Sequence, residues 1–231
     1  MFRRALKLAF PHTLPVMAGY LFLGLGFGVL LSQAGYGAFW ALMMSGGIYA
    51  GAMQFVTIDL LLTGAGLVQA ALMTLLVNAR HLVYGLTMAS RYQNTGGAKP
   101  YLAFALTDET FALLATFPVP EGLEAKQYYT AVSALNQAYW VMGSLLGSLL
   151  GQVLPFDLSG IEFSMTALFV VMLVEQWRNK AARPSMLVGV LSALLCRIFF
   201  GENNFTLPAM ALICLALLLG RKQLGTQEGA A

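Results

Sequence analysis

Nowhere in this sequence does a polar stretch run long enough to build a water-facing domain; apolar segments follow one another with only short breaks between them. Of the 231 residues, 58% are hydrophobic and only 10% are charged, whereas a soluble domain carries about 25% charged residues. So little charge cannot cover a water-exposed surface at this length. Lipid is the solvent that makes the composition reasonable, and in lipid every backbone polar group must be satisfied inside the chain. The expected fold class is therefore all-α: a polytopic transmembrane helical bundle forming one integral membrane domain over 1–231, with a short cytoplasmic tail at 221–231. The net charge of +3 is small and scattered, so no nucleic-acid footprint is expected.

A spanning helix needs about 20 apolar residues. Eight segments qualify as candidates: 14–33, 38–62, 66–90, 101–117, 128–153, 163–177, 185–200 and 205–220. The last three are short, which leaves room for one of them to be re-entrant or tightly tilted. Gly, Pro and Asn punctuate the breaks, as at Gly35-Tyr-Gly37, Gly64-Ala-Gly66, Asn94-Thr-Gly-Gly97 and Pro118-Val-Pro120. Pro11 and Pro15 follow the basic start Arg3, Arg4 and Lys7, so residues ahead of the first span read as a cytoplasmic interfacial stub rather than a cleaved signal. Cys196 and Cys214 both fall in apolar segments and read as packing residues, not as a disulfide or metal pair.

Lys and Arg set the orientation. With eight spans and a cytoplasmic N-terminus, the inside collects Arg3, Arg4, Lys7, Lys126, Arg178, Lys180, Arg183, Arg221 and Lys222. The outside receives Arg91 and Lys99, with Arg197 near that face. The Arg91–Lys99 loop sits on the wrong side of this bias, which keeps a seven-span arrangement open. Gly24 and Gly28 in the first segment, and Gly143, Gly147 and Gly151 in the fifth, recur at four-residue spacing. Small residues so placed let helix backbones approach closely in lipid. They pack either helices within the chain or a face that meets a second subunit.

Three places are too polar for a lipid-buried segment, where charges face a cavity or one another. The second segment carries Ser45-Gly-Gly-Ile-Tyr49-Ala-Gly-Ala-Met-Gln54-Phe55. The third carries Asn78-Ala-Arg80-His81 and Tyr84, and the fourth carries Thr107-Asp108-Glu109-Thr110. If segments three and four form a hairpin turning near 92–100, Arg80 and Asp108 lie roughly 16 and 12 Å from the turn at about 1.5 Å per residue. An Arg80–Asp108 or Arg80–Glu109 pair then neutralises one acid, either as a static tie or leaving the other acid, or His81, to bind and release a proton. Gly46, Gly47 and Gly51 around Tyr49 serve either close packing in an unbroken helix or a discontinuous helix. A discontinuous helix exposes the backbone N–H and C=O groups that hold substrates in transporters. Gln54, Asn78 and Asn136-Gln137 either complete a polar pocket or bond across helices. His81 has no second His or Cys at ligand spacing, so no metal is expected. Ser45 lacks the preceding Gly-x of a rhomboid-type nucleophile and no H-E-x-x-H is present, so no enzyme is expected.

Taken in order, Ser45-Gly-Gly-Ile-Tyr-Ala-Gly-Ala-Met-Gln-Phe55, Asn78-Ala-Arg-His-Leu-Val-Tyr84 and Leu106-Thr-Asp-Glu-Thr-Phe111 resemble the AzlC family, the large subunits of bacterial branched-chain amino acid exporters. Phe27-Gly28 and Ala167-Leu-Phe169 extend the likeness over nearly the whole chain. The resemblance implies efflux of leucine, isoleucine and valine, with methionine in some members, across the bacterial cytoplasmic membrane. It further implies drive by the proton gradient, no cofactor, and a small AzlD-like membrane subunit as partner, which the glycine faces would suit. On this reading Tyr49, Gly51, Gln54, Asn78 and Arg80 bind the amino acid, and His81, Asp108 and Glu109 handle the proton. The competing expectation is a non-transporting membrane scaffold, an accessory subunit of another complex, whose intramembrane charges are structural pairs only.

Overall fold

The computed structural model describes residues 2–153 and 183–201, together with positions 170, 174, 177, 205, 208, 209, 212, 213, 215 and 216. Two compact units divide the chain, residues 1–161 and 162–231. Among the described residues all regular structure is helical. The first unit holds α1 (Phe2–Gln33), α2 (Ala38–Gly47), α3 (Gly51–Leu62), α4 (Leu67–Asn78), α5 (Arg80–Ala89), a 3-10 stretch (Gln93–Ala98), α6 (Lys99–Phe104), α7 (Asp108–Thr116) and α8 (Ala125–Val153). The second contains α9 (Arg183–Phe200). The expected segments at 163–177 and 205–220, Cys214 and the tail at 221–231 fall largely or wholly outside the described residues.

Among the described residues, α1 is the one helix that combines the length and the apolarity needed to cross a membrane. It begins at Phe2 and runs straight through the stretch expected to be an interfacial stub. Pro11 and Pro15 lie inside it; each removes one helical N–H, and such losses are tolerated in membrane helices when hydroxyls re-satisfy the backbone. Between the two prolines, Thr13 adds a side-chain bond to the helix, its Oγ1 donating to the Phe10 carbonyl at 2.9 Å.

α1 and α8 lie side by side and run parallel. His12 meets Tyr128 at 2.8 Å, while farther along a Cβ on Gly24 would lie 3.0 Å from the Ser144 nitrogen, and one on Gly151 would lie 3.1 Å from the Val29 Cα. In the middle a Cβ on Gly28 or Gly147 would fall on the carbonyls of Ser144 and Leu25. Both glycine faces are thus consumed by one another within the chain, which corrects the expectation that they suit a partner subunit. Without a hydrophobic drive between lipid-bathed helices, this backbone proximity supplies dispersion that larger side chains would prevent.

Residue levels along this α1–α8 pair show where the intervening helices go. α2 starts beside Gln152, where a Gly37 Cβ would lie 3.6 Å from its Nε2, and descends until the Gly46 carbonyl accepts from Gln137 Nε2 at 3.1 Å. α3 then climbs back: Gly51 lies on Trp140, and Phe55 reaches Phe27 with ring centroids 5.7 Å apart. α4 and α5 traverse the unit, the chain staying right-handed helical at Ala79, and deliver Tyr92 to Tyr129 near the start of α8. From there α6 rises to place Tyr101 on Gln137, and α7 returns to stack Phe117 on His12 at 4.3 Å.

Segments 38–62 and 101–117, expected to be traverses, are therefore half-depth helical hairpins entering from opposite ends. The physical reason is a local break in each: a left-handed residue at Tyr49 and an extended Thr107 (φ −103°, ψ 171°) reverse the chain. The reversal also removes the misplaced charge. Arg91 and Lys99 lie at the same end as the start of α1 and the Glu121–Lys126 loop, where Arg91 donates to the Leu114 carbonyl and Arg4 approaches Gly122. Tyr128, Leu102 and Leu114 fill the core at this end with Ala5 and Ala9. Outward, by contrast, Leu67, Val68 and Leu86 are 90%, 75% and 78% exposed, a surface that suits acyl chains rather than water.

Candidate functional site

The two hairpin tips meet halfway along α8. At the first tip, Ile48 and Tyr49 N–H both close on the Met44 carbonyl at 3.0 Å, ending α2. Tyr49 then takes φ 47°, uniquely among the described non-glycine residues. That conformation costs an L-residue about 1–2 kcal/mol and persists only where the surroundings impose it. The Tyr49 side chain is buried, its ring 6.3 Å from that of Phe104 in the second hairpin. α3 begins at Gly51 with no side-chain cap from Ala50, so its first-turn N–H groups face the tip without a capping acceptor. Gly51 packs against the Trp140 ring of α8, where a Cβ would sit 3.3 Å from Cη2, tighter than an ordinary contact.

The second tip is capped. Thr107 Oγ1 accepts from the Thr110 N–H at 3.3 Å, and Asp108 and Glu109 occupy the first turn of α7, where the helix dipole favours negative charge. Tyr20 reaches this turn from α1, donating to Glu109 Oε2 at 2.6 Å and lying 2.7 Å from Thr107 Oγ1. Asn136 Nδ2 donates to Thr110 Oγ1 at 3.0 Å.

α8 joins the hairpins through one face. Gln137 accepts from the Tyr101 hydroxyl at 2.9 Å and donates to the Gly46 carbonyl, bridging the two. Trp140, one turn on, donates Nε1 to Gln54 Oε1 at 2.9 Å and packs edge-on to Tyr20. Several polar atoms at this junction are buried with no hydrogen-bond partner: Ser45 Oγ, Tyr49 Oη, Gln54 Nε2 and Asn136 Oδ1. Tyr49 Oη lies beside the hydroxyls of Tyr20 and Thr107 and near Glu109, but in a geometry that completes no full hydrogen bond. Orphaned buried polar atoms are rare in folded proteins, and these four belong to residues of the first tip and of the α8 face beside it.

Of the residues singled out in the sequence, Tyr49, Gly51, Gln54 and Glu109 come together here, and Asp108 starts the same helix turn. Asn78 and His81 lie at the α4–α5 junction instead. There His81 Nδ1 is 3.2 Å from the Asn78 carbonyl and its ring 6.1 Å from that of Tyr84. Arg80 opens α5, but its side chain is outside the described residues, and with it the expected pairing to Asp108 or Glu109. Asn136 and Gln137 bond across helices. Tyr20 and Trp140 were not anticipated: a Tyr in an apolar run carries no signal, whereas Asn136, Gln137 and Trp140 share one helical face, and that spacing was a signal available in the sequence.

Residues 15–154, the stretch containing both hairpins and α8, match the family described as AzlC protein. A Helicobacter pylori relative described as an uncharacterized membrane protein is 48% identical over 223 residues, covering 96% of this chain and 98% of its own. The branched-chain amino acid transport protein AzlC of Bacillus subtilis is 39% identical over 224 residues, 97% of this chain and 88% of that protein. The inner membrane protein YgaZ of Escherichia coli is 29% identical over 209 residues, covering 87% and 82% respectively. No solved structure matches. A chain whose described elements are all helical with an apolar exterior, and which is similar over nearly its full length to membrane proteins, is itself a membrane protein, and it belongs to the AzlC family.

Proposed function

We propose that this protein is a secondary-active exporter of branched-chain amino acids, with methionine as a further substrate, driven by the proton gradient across the bacterial cytoplasmic membrane. The observation that carries the reading is the junction of the two hairpin tips. Paired half-depth helices put uncapped backbone N–H groups, a carboxylate and orphaned buried donors into one space at mid-depth, as zwitterion transporters require. The name of the Bacillus subtilis relative supports the substrate class.

In this reading Gly51 and the α3 N-terminus receive the substrate carboxylate, with Tyr49 and Gln54 beside it. Asp108 and Glu109 supply the acids for proton coupling, and Asn78, Arg80 and His81 act from the adjoining α4–α5 junction. The end bearing Arg4, Arg91, Lys99 and Lys126 faces the cytoplasm, following the bias of basic residues to that side. α1, α4–α5 and α8 each cross the bilayer, and the chain works as the large subunit beside a small AzlD-like membrane protein. Efflux from dipeptide-loaded cells tests this. A deletion strain is expected to retain leucine, valine and methionine that the complemented strain expels, and equal efflux from the two strains overturns the proposal.

A further inference from the structure

We propose that Glu109 is one exchange point at which the substrate's α-ammonium group and the transported proton compete, so that each displaces the other. This rests on the amino acid reading above and goes beyond it by assigning the coupling to a single carboxylate.

The hydrogen-bond chemistry around Glu109 leads there. Tyr20 has one hydroxyl proton, and it is committed to Glu109 Oε2 at 2.6 Å. The Tyr20 oxygen then accepts from Thr107, 2.7 Å away. This chain suits an ionised Glu109. On protonation the carboxyl donates to the Tyr20 oxygen, the Tyr20 proton turns to Thr107, and Thr107 redirects its own proton from Tyr20 to Thr110, 3.1 Å away. Both states are satisfied without moving a heavy atom, as a group that cycles between them requires.

Glu109 is half-buried, and its described hydrogen bond uses Oε2 alone. Among the described residues no cation pairs with it. The described titratable groups near it are Tyr20 from α1 and Tyr49 from the first tip, with Asp108 preceding it in the first turn of α7. α8 meets the turn through the neutral Asn136, and α5 packs through Tyr84 on Phe111 with His81 nearby. A carboxylate in low dielectric needs a positive partner, and the open side of the tip offers two: a proton, or the ammonium of an amino acid whose carboxylate lies at the uncapped α3 N-terminus. Tyr49 Oη, buried and without a partner, sits within reach of this carboxylate and marks the space as one built for a polar group.

The balance of the cycle follows. From the cytoplasm a zwitterion binds and Glu109 releases its proton to that side. On the opposite side a proton adds to Glu109, the ammonium leaves, and the neutral carboxyl returns. One amino acid moves out and one proton moves in.

The test is calorimetric titration of the full chain in lipid nanodiscs with L-leucine and with 4-methylpentanoate, which is leucine without its amino group, between about pH 6 and pH 8. Leucine is expected to bind more tightly as pH rises, by up to about tenfold per unit, with release of up to one proton per leucine. 4-Methylpentanoate is expected to follow the opposite trend. Glu109→Gln is expected to weaken leucine about tenfold or more, to lose proton release, and to bind 4-methylpentanoate at least as well as the parent, which also shows that the variant is folded. Glu109→Asp restores proton release. Leucine binding that is independent of pH, or unchanged by Glu109→Gln, overturns the competition while leaving the amino acid reading intact. Failure of leucine, valine, isoleucine and methionine all to bind overturns both.

Discussion

Tyr49 combines two costs at one residue: a left-handed backbone and a buried hydroxyl without a partner. Neither is repaid by packing alone, since phenylalanine would fill the same space. Tyr49→Phe is therefore expected to leave thermal stability unchanged or raise it by about 1 kcal/mol, the desolvation penalty of an orphaned hydroxyl, while leucine binding weakens. Melting of the solubilised protein and calorimetry of leucine binding check the two halves; a stability loss without a binding loss contradicts the assignment. A broken helix around Tyr49 was one of the two readings left open for this segment, and the chain does break between Gly47 and Gly51. Gly46 and Gly47 advertised a possible break, but the residue that takes positive φ is a tyrosine, a type that rarely adopts it.

Among the elements, the α1–α8 pair and the two hairpins behave differently. The pair is close-packed along its backbone, so Gly147→Ala places a methyl on the Leu25 carbonyl and forces the helices apart. Its expected cost is about 1–3 kcal/mol, the range for overpacking. Gly85→Ala, in α5 with nothing within 4 Å of the added Cβ, is expected instead to stabilise by about 0.5–1 kcal/mol. Thermal unfolding in detergent compares the two, and a similar response would remove the close-packing account. The glycine spacing made this pair readable in the sequence. The hairpins were not readable, because an apolar run of helical period has the same pattern whether the chain continues or folds back. Only the break residues and the contacts along α8 distinguish the two, and those contacts join positions far apart in the sequence.

For the whole first unit, the two reversals place every described basic loop of residues 2–153 at one end. Basic residues at 91–99 had argued for a different span count; they argued instead for a chain path with fewer traverses. A direct check is single-cysteine labelling in intact cells after replacing Cys196 and Cys214 with serine. Asn94→Cys and Glu121→Cys are expected to resist a membrane-impermeant maleimide, and Ala65→Cys to react. Reaction of Asn94→Cys at the rate of Ala65→Cys would restore segment 101–117 as a full traverse.

The parallel seating of α1 on α8 also bears on how the protein is made. α1 leaves the ribosome before α8, which begins about 120 residues later, and at roughly 5–20 residues per second that is a delay on the order of ten seconds. Throughout that interval the groove at Gly24 and Gly28 and the Tyr20 hydroxyl lie open in the bilayer, available to any passing helix. The nascent chain thus depends on the insertion machinery to chaperone α1 until α8 arrives. Assembly is set by the order of synthesis as much as by the strength of the final contact.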